Sequence, residues 1–221
     1  MDLKILYEDN HIIVCYKPRG ILSQADNTKS LDMLTLLKEY IKEKYNQPGD
    51  VFLGLVHRLD RNTDGVMVFA RTSKAAKRLS EDIKNNNFHK KYLAVVEGMI
   101  EGSRTLTDML YYDENKKKSF IIKKKDSKEA ILTYNFVDYV NGKTLLDISL
   151  KTGRHHQIRC QLSNIGHPIV GDVKYGSSIA VGDKYALTAY SLSFIHPTKK
   201  EEMVFKYIPD DSFYKEFNIK K

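Results

Sequence analysis

Val51-Phe52-Leu53-Gly54-Leu55-Val56-His57-Arg58-Leu59-Asp60-Arg61-Asn62-Thr63-Asp64-Gly65-Val66-Met67-Val68-Phe69-Ala70 is apolar at both ends and polar in the middle. That profile predicts strand, loop, strand. Two arginines, a histidine and two aspartates fall within the eight residues 57–64. Such a break in well-patterned sequence is where function is expected. A carboxylate such as Asp60 can serve as nucleophile or general base if a cation keeps it ionised. On the residues alone, a structural Asp–Arg pair and a catalytic carboxylate both remain open.

Outward from this segment, strands and helices mix without regular βαβ alternation. Residues 4–16 read as two short strands around a turn at Glu8-Asp9-Asn10, and Lys17-Pro18-Arg19-Gly20 ends the second, since proline cannot donate to a ladder. Leu31–Tyr45 reads as a helix capped by Ser30, with Leu34, Leu37 and Ile41 on one face. A second helix is expected after a Ser73 cap, with Ala76, Leu79 and Ile83 inward. Tyr92–Glu97, Ile131–Tyr139, Thr144–Leu150, Leu187–Ile195 and Met203–Ile208 read as strands. A third helix follows Thr152-Gly153, carrying Ile158, Leu162 and Ile165, and Gly166 and Pro168 stop it. A short helix is expected from Asp211. The pattern predicts an α+β fold, a large mixed and mostly antiparallel sheet flanked by helices, and one domain over residues 1–221.

Composition excludes several classes. Hydrophobic residues at 42% and charged residues at 29% describe a globular chain rather than a disordered one. No apolar run approaches the roughly 20 residues of a membrane span. The start, Met1-Asp2-Leu3-Lys4, has no charged leader and apolar core, so a cytoplasmic protein is expected. Cys15 and Cys160 are far apart and imply reduced thiols rather than a disulfide framework. His155, His156 and Cys160 lack the further cysteine or carboxylate pattern of a metal site, so no metal is expected. A net charge of +8 favours polyanionic partners. Lysine runs flank a short apolar stretch in Lys116–Lys125, KKKSFIIKKK, a hairpin-like segment that reads equally as an arm gripping a polyanion or a solvated loop. A second polar cluster, Lys151-Thr152-Gly153-Arg154-His155-His156-Gln157-Ile158-Arg159, opens the third helix.

His57-Arg58-Leu59-Asp60-Arg61-Asn62-Thr63, continuing to Gly65, resembles the signature of the RluA-type pseudouridine synthases. Tyr7-Glu8-Asp9-Asn10 through Lys17-Pro18 and Gly20 resembles that family's first motif, and Lys91-Tyr92-Leu93-Ala94 its tyrosine strand. Thr152-Gly153-Arg154 with His156-Gln157-Ile158-Arg159, then Gly166, Pro168-Ile169, Gly171-Asp172 and Tyr175-Gly176, resembles its third motif. Phe194 with His196-Pro197 matches the closing strand. The matches keep the family's order across nearly the whole chain.

The resemblance implies an isomerase that converts uridine in ribosomal or transfer RNA to its C-glycoside, with no cofactor. Asp60 would be the essential aspartate, acting at the target ribose by attack on C1′ or through a glycal-type route. Tyr92 would stack on the uracil and help remove the C5 proton, and Arg159 would pair with Asp60. Arg58 would fill the space left by a flipped-out uridine. Arg58, Arg61, Lys17, Arg154, His156 and Lys91 are the residues expected to face RNA, and His57 is expected to orient its loop. Asp64, Gln161 and Thr188 depart from the family pattern. Asp64 is the most consequential, because it puts a second negative charge near Asp60. Many relatives also carry an S4-like RNA-binding module; none is expected here, because the sequence opens on the catalytic domain's first strand, and a monomer is expected. A binding protein whose turnover is secondary, and a metal-dependent nuclease, are the competing readings; the nuclease lacks clustered carboxylates.

Overall fold

The computed structural model describes residues 3–219. In chain order the elements are β1 (Ile5–Glu8), β2 (Ile12–Lys17), α1 (Met33–Lys44), β3 (Gly54–Leu55), β4 (Asp64–Ala70), α2 (Ser73–Lys84), β5 (Phe88–Glu97), β6 (Ser103–Asp113), β7 (Lys118–Ile121), β8 (Lys128–Val140), β9 (Lys143–Leu150), α3 (Gln157–Asn164), a 3-10 turn (Val173–Tyr175), β10 (Leu187–Ile195) and β11 (Glu202–Lys206). This is the expected α+β class. The chain divides into two compact units, residues 1–89 with 189–208, and residues 90–188 with 209–221.

In the first unit β1, β2, β4 and β10 follow one another, β3 extends from β4, and β11 pairs with β10. The turn between β1 and β2 is set by Asp9, whose carboxylate accepts from the amides of His11 and Ile12 at 2.8 and 2.9 Å. Successive side chains of a strand point to opposite faces. Here Ile12 and Val14 join Val66, Val68, Leu79, Phe88 and Phe194 in one core, while Ile13, Cys15, Met67 and Phe69 on the other face are also fully buried. A strand covered on both faces carries no polar alternation, which is why Ile12–Val14 reads as one apolar run.

Helix starts differ from expectation by one or two residues. Asp32, not Ser30, caps α1 by accepting from the Thr35 amide at 3.0 Å. Thr72, not Ser73, caps α2 by accepting from the Ala75 amide at 3.1 Å. In both cases the capping residue is the last one with extended backbone. The inner face of α2 shifts accordingly, with Ala75 and Leu79 buried and Ala76 and Ile83 packed at its margin.

The second unit is an antiparallel run in the order β5, β9, β8, β6, β7. Leu110, Ala130, Cys160 and Tyr175 form a core cluster with Ile121 at its margin. At the end of α3, Gly166 has φ +86° and supplies the left-handed residue that stops the helix. Among the described residues the helix expected from Asp211 does not form. The segment instead makes consecutive turns closed by amides reaching three residues back, Tyr214 to Asp211 and Phe217 to Tyr214, both at 3.1 Å.

Candidate active site

In the first unit, the loop joining β3 to β4 is pinned at several points. His57 is buried, and its Nε2 accepts from the Val68 amide of β4 at 3.1 Å. Its ring meets Phe88 edge-on at 5.1 Å. Two residues on, Leu59 exchanges a reciprocal pair of bonds with Ser23. The Leu59 amide donates to Ser23 Oγ at 3.0 Å, and that hydroxyl donates to the Leu59 carbonyl at 2.9 Å. A tight turn follows immediately, closed by the Thr63 amide on the Asp60 carbonyl at 3.1 Å. Asp60 therefore sits half-buried at the first position of a turn whose entry is hydrogen-bonded into the core. Arg58 and Arg61 flank it and are exposed. Arg61 is tied down through its backbone, since its carbonyl accepts from the Gly20 amide at 2.9 Å, while its Nε donates to the Gly20 carbonyl at 3.1 Å.

Lys17 lies elsewhere than expected. It is fully buried, so it is not an RNA-facing residue. Its ammonium donates to the carbonyls of Pro18, Ile21 and Arg61 at 3.1, 2.7 and 3.0 Å, joining the end of β2 to the Asp60 loop. Burial lowers its pKa to about 7, with the nearby Asp64 and Asp60 carboxylates pulling the other way. The position in β2 explains the burial: Lys17 shares a face with Ile13 and Cys15.

Asp64 is fully buried, and its charge is answered locally. Arg19 Nη2 lies 3.0 Å from Oδ1, and the Tyr16 hydroxyl donates to Oδ2 at 2.5 Å. Burial and that carboxylate push the Tyr16 pKa well up, so the phenol remains a donor. The next residue, Gly65, has φ +141°, and a Cβ there would lie 2.3 Å from the Ala189 carbonyl oxygen. Only glycine lets β4 begin so close to its neighbour.

In the second unit, Tyr92 is buried on β5 in a row with Ile148 of β9 and Tyr134 of β8. Lys91 points to the other face, exposed, 3.5 Å from Asp147. Arg159 of α3 is buried and grips Asp172 with a two-pronged contact, Nε to Oδ2 at 2.6 Å and Nη2 to Oδ1 at 2.8 Å. Its guanidinium also lies over the rings of Tyr175 and Tyr185, 4.9 and 4.5 Å from their centroids. Such a planar fork, stacked on aromatics, fixes a side chain in position and orientation.

Before α3 the chain takes a left-handed step at His156, φ 51°. With no capping side chain there, Gln157 compensates, its Oε1 accepting from the Arg154 amide at 3.0 Å and the Thr152 hydroxyl at 2.8 Å. His156 Nδ1 lies 2.9 Å from the Tyr175 hydroxyl. Burial first, then Arg159, His155 and Lys174, lower its pKa to about 2, so the ring is neutral. Arg154 is exposed, its Nε donating to the Glu129 carbonyl at 2.8 Å. The two other departures are absorbed within this unit: Gln161 donates to Asp108 at 2.7 Å, and Thr188 Oγ1 accepts from the Tyr214 hydroxyl at 2.7 Å.

Residues 11–164 match the family described as RNA pseudouridylate synthase. The chain belongs to that family. This synthase is 33% identical over 225 residues to an uncharacterized RNA pseudouridine synthase of Aquifex aeolicus, covering 96% of the chain and 71% of that relative. It is 35% identical over 218 residues to ribosomal large subunit pseudouridine synthase D of Yersinia pestis, covering 91% of the chain and 65% of the relative. Among solved structures, human RNA pseudouridylate synthase domain containing 4 superposes with a TM-score of 0.77 over 94% of the chain and 89% of its own, at 23% identity. The human domain containing 1 protein gives 0.74 over 94% and 84%, at 22% identity. These two likenesses speak to the fold. The synthase is thus an isomerase acting on uridine in RNA. No helix among its described residues is long and apolar enough to cross a membrane.

Sequence reasoning overlooked Asp172, Arg19 and the anchoring role of Lys17. Asp172 lies inside a matched motif, yet nothing in linear spacing links it to Arg159, 13 residues earlier. For Lys17 there was a signal in spacing alone, since it stands two and four residues after Cys15 and Ile13 and so shares their face of β2.

Proposed function

We propose that Asp60 is the carboxylate on which isomerisation turns, with Tyr92 and Arg159 as its catalytic partners, in ribosomal or transfer RNA. The observation that carries the reading is the seating of Asp60. A half-buried carboxylate begins a turn anchored through Leu59–Ser23 and Arg61–Lys17, between two exposed guanidinium residues. In the reaction the N1–C1′ bond breaks, a C5–C1′ bond forms, C5 loses its proton and N1 gains one. Asp60 acts at C1′ while the base is detached. Tyr92, buried on a strand, offers a ring face to uracil and a hydroxyl for the C5 proton. Arg159 supplies a fixed cation, which favours the ionised form of a carboxylate. Arg58 takes the space vacated by the flipped nucleotide, whose extrusion costs a few kcal/mol.

The isomerisation has no net redox change and no external nucleophile, which supports a reaction without metal or cofactor. The relatives' names favour large-subunit ribosomal RNA as the target. We place the enzyme in the cytoplasm, as a monomer, with residues 1–221 as one catalytic domain. Carbodiimide mapping of pseudouridine on total RNA tests the reading. Sites that vanish with the gene should return with the wild-type protein and not with Asp60→Ala. Full restoration by Asp60→Ala would leave an RNA-binding protein as the better account.

A further inference from the structure

The lysine-rich segment noted in the sequence is an ordered edge of the second unit. Among the described residues β7 pairs only with β6, Tyr111 opposite Phe120 and Asp113 opposite Lys118. The turn before it is set by Asp113, whose carboxylate accepts from the Lys116 amide at 3.0 Å, with the Lys117 amide on the Glu114 carbonyl at 3.3 Å. The turn after it is set by Ser127, which accepts from the Lys124 amide at 3.1 Å and donates to the Ile122 carbonyl at 2.7 Å. Both lysine runs thus sit in closed turns. In each run an ammonium group rests on an aromatic face: Lys124 is 3.3 Å from the Tyr111 centroid, and Lys116 is 5.5 Å from that of Phe120. Lysine on an edge strand also guards against pairing with another chain. That accounts for Lys118 inside β7, but not for Lys116, Lys117 and Lys123–Lys125, which lie outside the strand.

Ser119 joins this edge to the segment preceding α3. Its amide donates to the Tyr175 hydroxyl at 2.8 Å, its hydroxyl donates to the His155 carbonyl at 2.6 Å, and its carbonyl accepts from Cys160 Sγ at 3.3 Å. Beside it, the exposed His155 ring packs on Tyr112 at 4.1 Å. Cations held over aromatic rings, continuous with the half-buried Tyr112 ring and the exposed His155 ring, are what an unpaired nucleic-acid strand meets. Phosphates find charge, and bases find faces to stack on.

We propose that the β6–β7 hairpin and the turn Ile122–Ser127 form a ledge that holds the backbone of an unpaired RNA strand alongside the Thr152–His156 segment. It deepens the reading that this enzyme works on RNA, and it is independent of which residue performs the chemistry. The test is fluorescence anisotropy with a labelled 12-nucleotide oligouridylate, titrated between 50 and 200 mM KCl. Wild type is compared with K123A/K124A/K125A and with K123R/K124R/K125R. For single strands each lost phosphate contact lowers the salt slope by about 0.7, so the triple alanine variant should lose about 2 from its slope. Its affinity fall across that salt range should shrink by about 18-fold relative to wild type. The triple arginine variant should behave like wild type. An unchanged slope in the alanine variant, or an equal loss in the arginine variant, overturns the proposal. So does an equal effect on a 12-base-pair RNA duplex. Because binding needs no turnover, inactive Asp60→Ala protein serves equally well, and a failure of the Asp60 assignment would leave this result standing.

Discussion

The Arg159–Asp172 pair gives the most exacting check on how the enzyme is held together. Both side chains are buried, with 8% and 1% of their surfaces exposed. Removing one partner of such a pair leaves an uncompensated charge in a medium that solvates it poorly, a cost of about 3–5 kcal/mol. Asp172→Asn keeps one acceptor oxygen but loses the charge and half the fork. Arg159→Met fills similar volume and strands the carboxylate instead. Each single variant should therefore melt about 10 °C below wild type, from the roughly 2–4 °C per kcal/mol expected for a chain of this size.

The double variant, Arg159→Met with Asp172→Asn, strands no charge. Urea unfolding should put its loss well below the sum of the singles, with a coupling of about 3 kcal/mol or more. Single-turnover assays on RNA should show a slowed rate in Asp172→Asn at saturating substrate, because Arg159 is no longer aimed. Additivity of the two singles within about 0.5 kcal/mol would refute the reasoning, since independent sites behave that way.

Gly65→Ala forces a Cβ to within 2.3 Å of a backbone oxygen at φ +141°, and overpacking plus backbone strain should cost about 2–5 kcal/mol. Gly102→Ala, at φ +71° with nothing within 4 Å, carries only the backbone strain, and equal melting losses in the two variants would contradict the packing argument. For Lys17, the folded value near 7 lies below the ordinary 10.5, so above pH 7 the unfolded chain holds a proton that the folded chain releases. Stability relative to Lys17→Met should then rise between pH 7 and 10.5, by at most about 1.4 kcal/mol per unit; a flat difference from pH 6 to 9 would rule that out. Arg19→Met combined with Asp64→Leu should fold about as stably as wild type yet turn over more slowly, and normal turnover would remove any positioning role for that pair.

Much of the fold was legible because apolar runs and turn residues are local signals. The hairpin of β1 and β2, the strand–loop–strand over Gly54–Ala70 and the Gly166 stop on α3 all follow from neighbouring residues. β6 escaped notice because its inward residues Leu106 and Leu110 are four apart, with Asp108 between them turned to Gln161 of α3. That spacing suits a helix as well as a strand. The loop residues around Asp60 were legible as a cluster but not as a geometry. What seats Asp60 is Ser23 and Lys17, residues 37 and 43 positions upstream, and long-range partners leave no mark on local pattern.

The buried charges carry a further implication. A buried ion pair is weak support for stability, because apolar groups of the same volume often serve as well or better. Yet each unit keeps one next to a residue assigned to the chemistry. In the first, Arg19–Asp64 and the Lys17 ammonium bracket the loop that bears Asp60. In the second, Asp172 grips Arg159 itself. Apolar replacements would give those residues no directed contact, whereas the charged hydrogen bonds fix a direction as well as a distance. The Asp64 substitution, which on sequence looked like an added burden on Asp60, fits the same logic. Its charge is spent on Arg19 and Tyr16, and what remains is a turn locked at both ends.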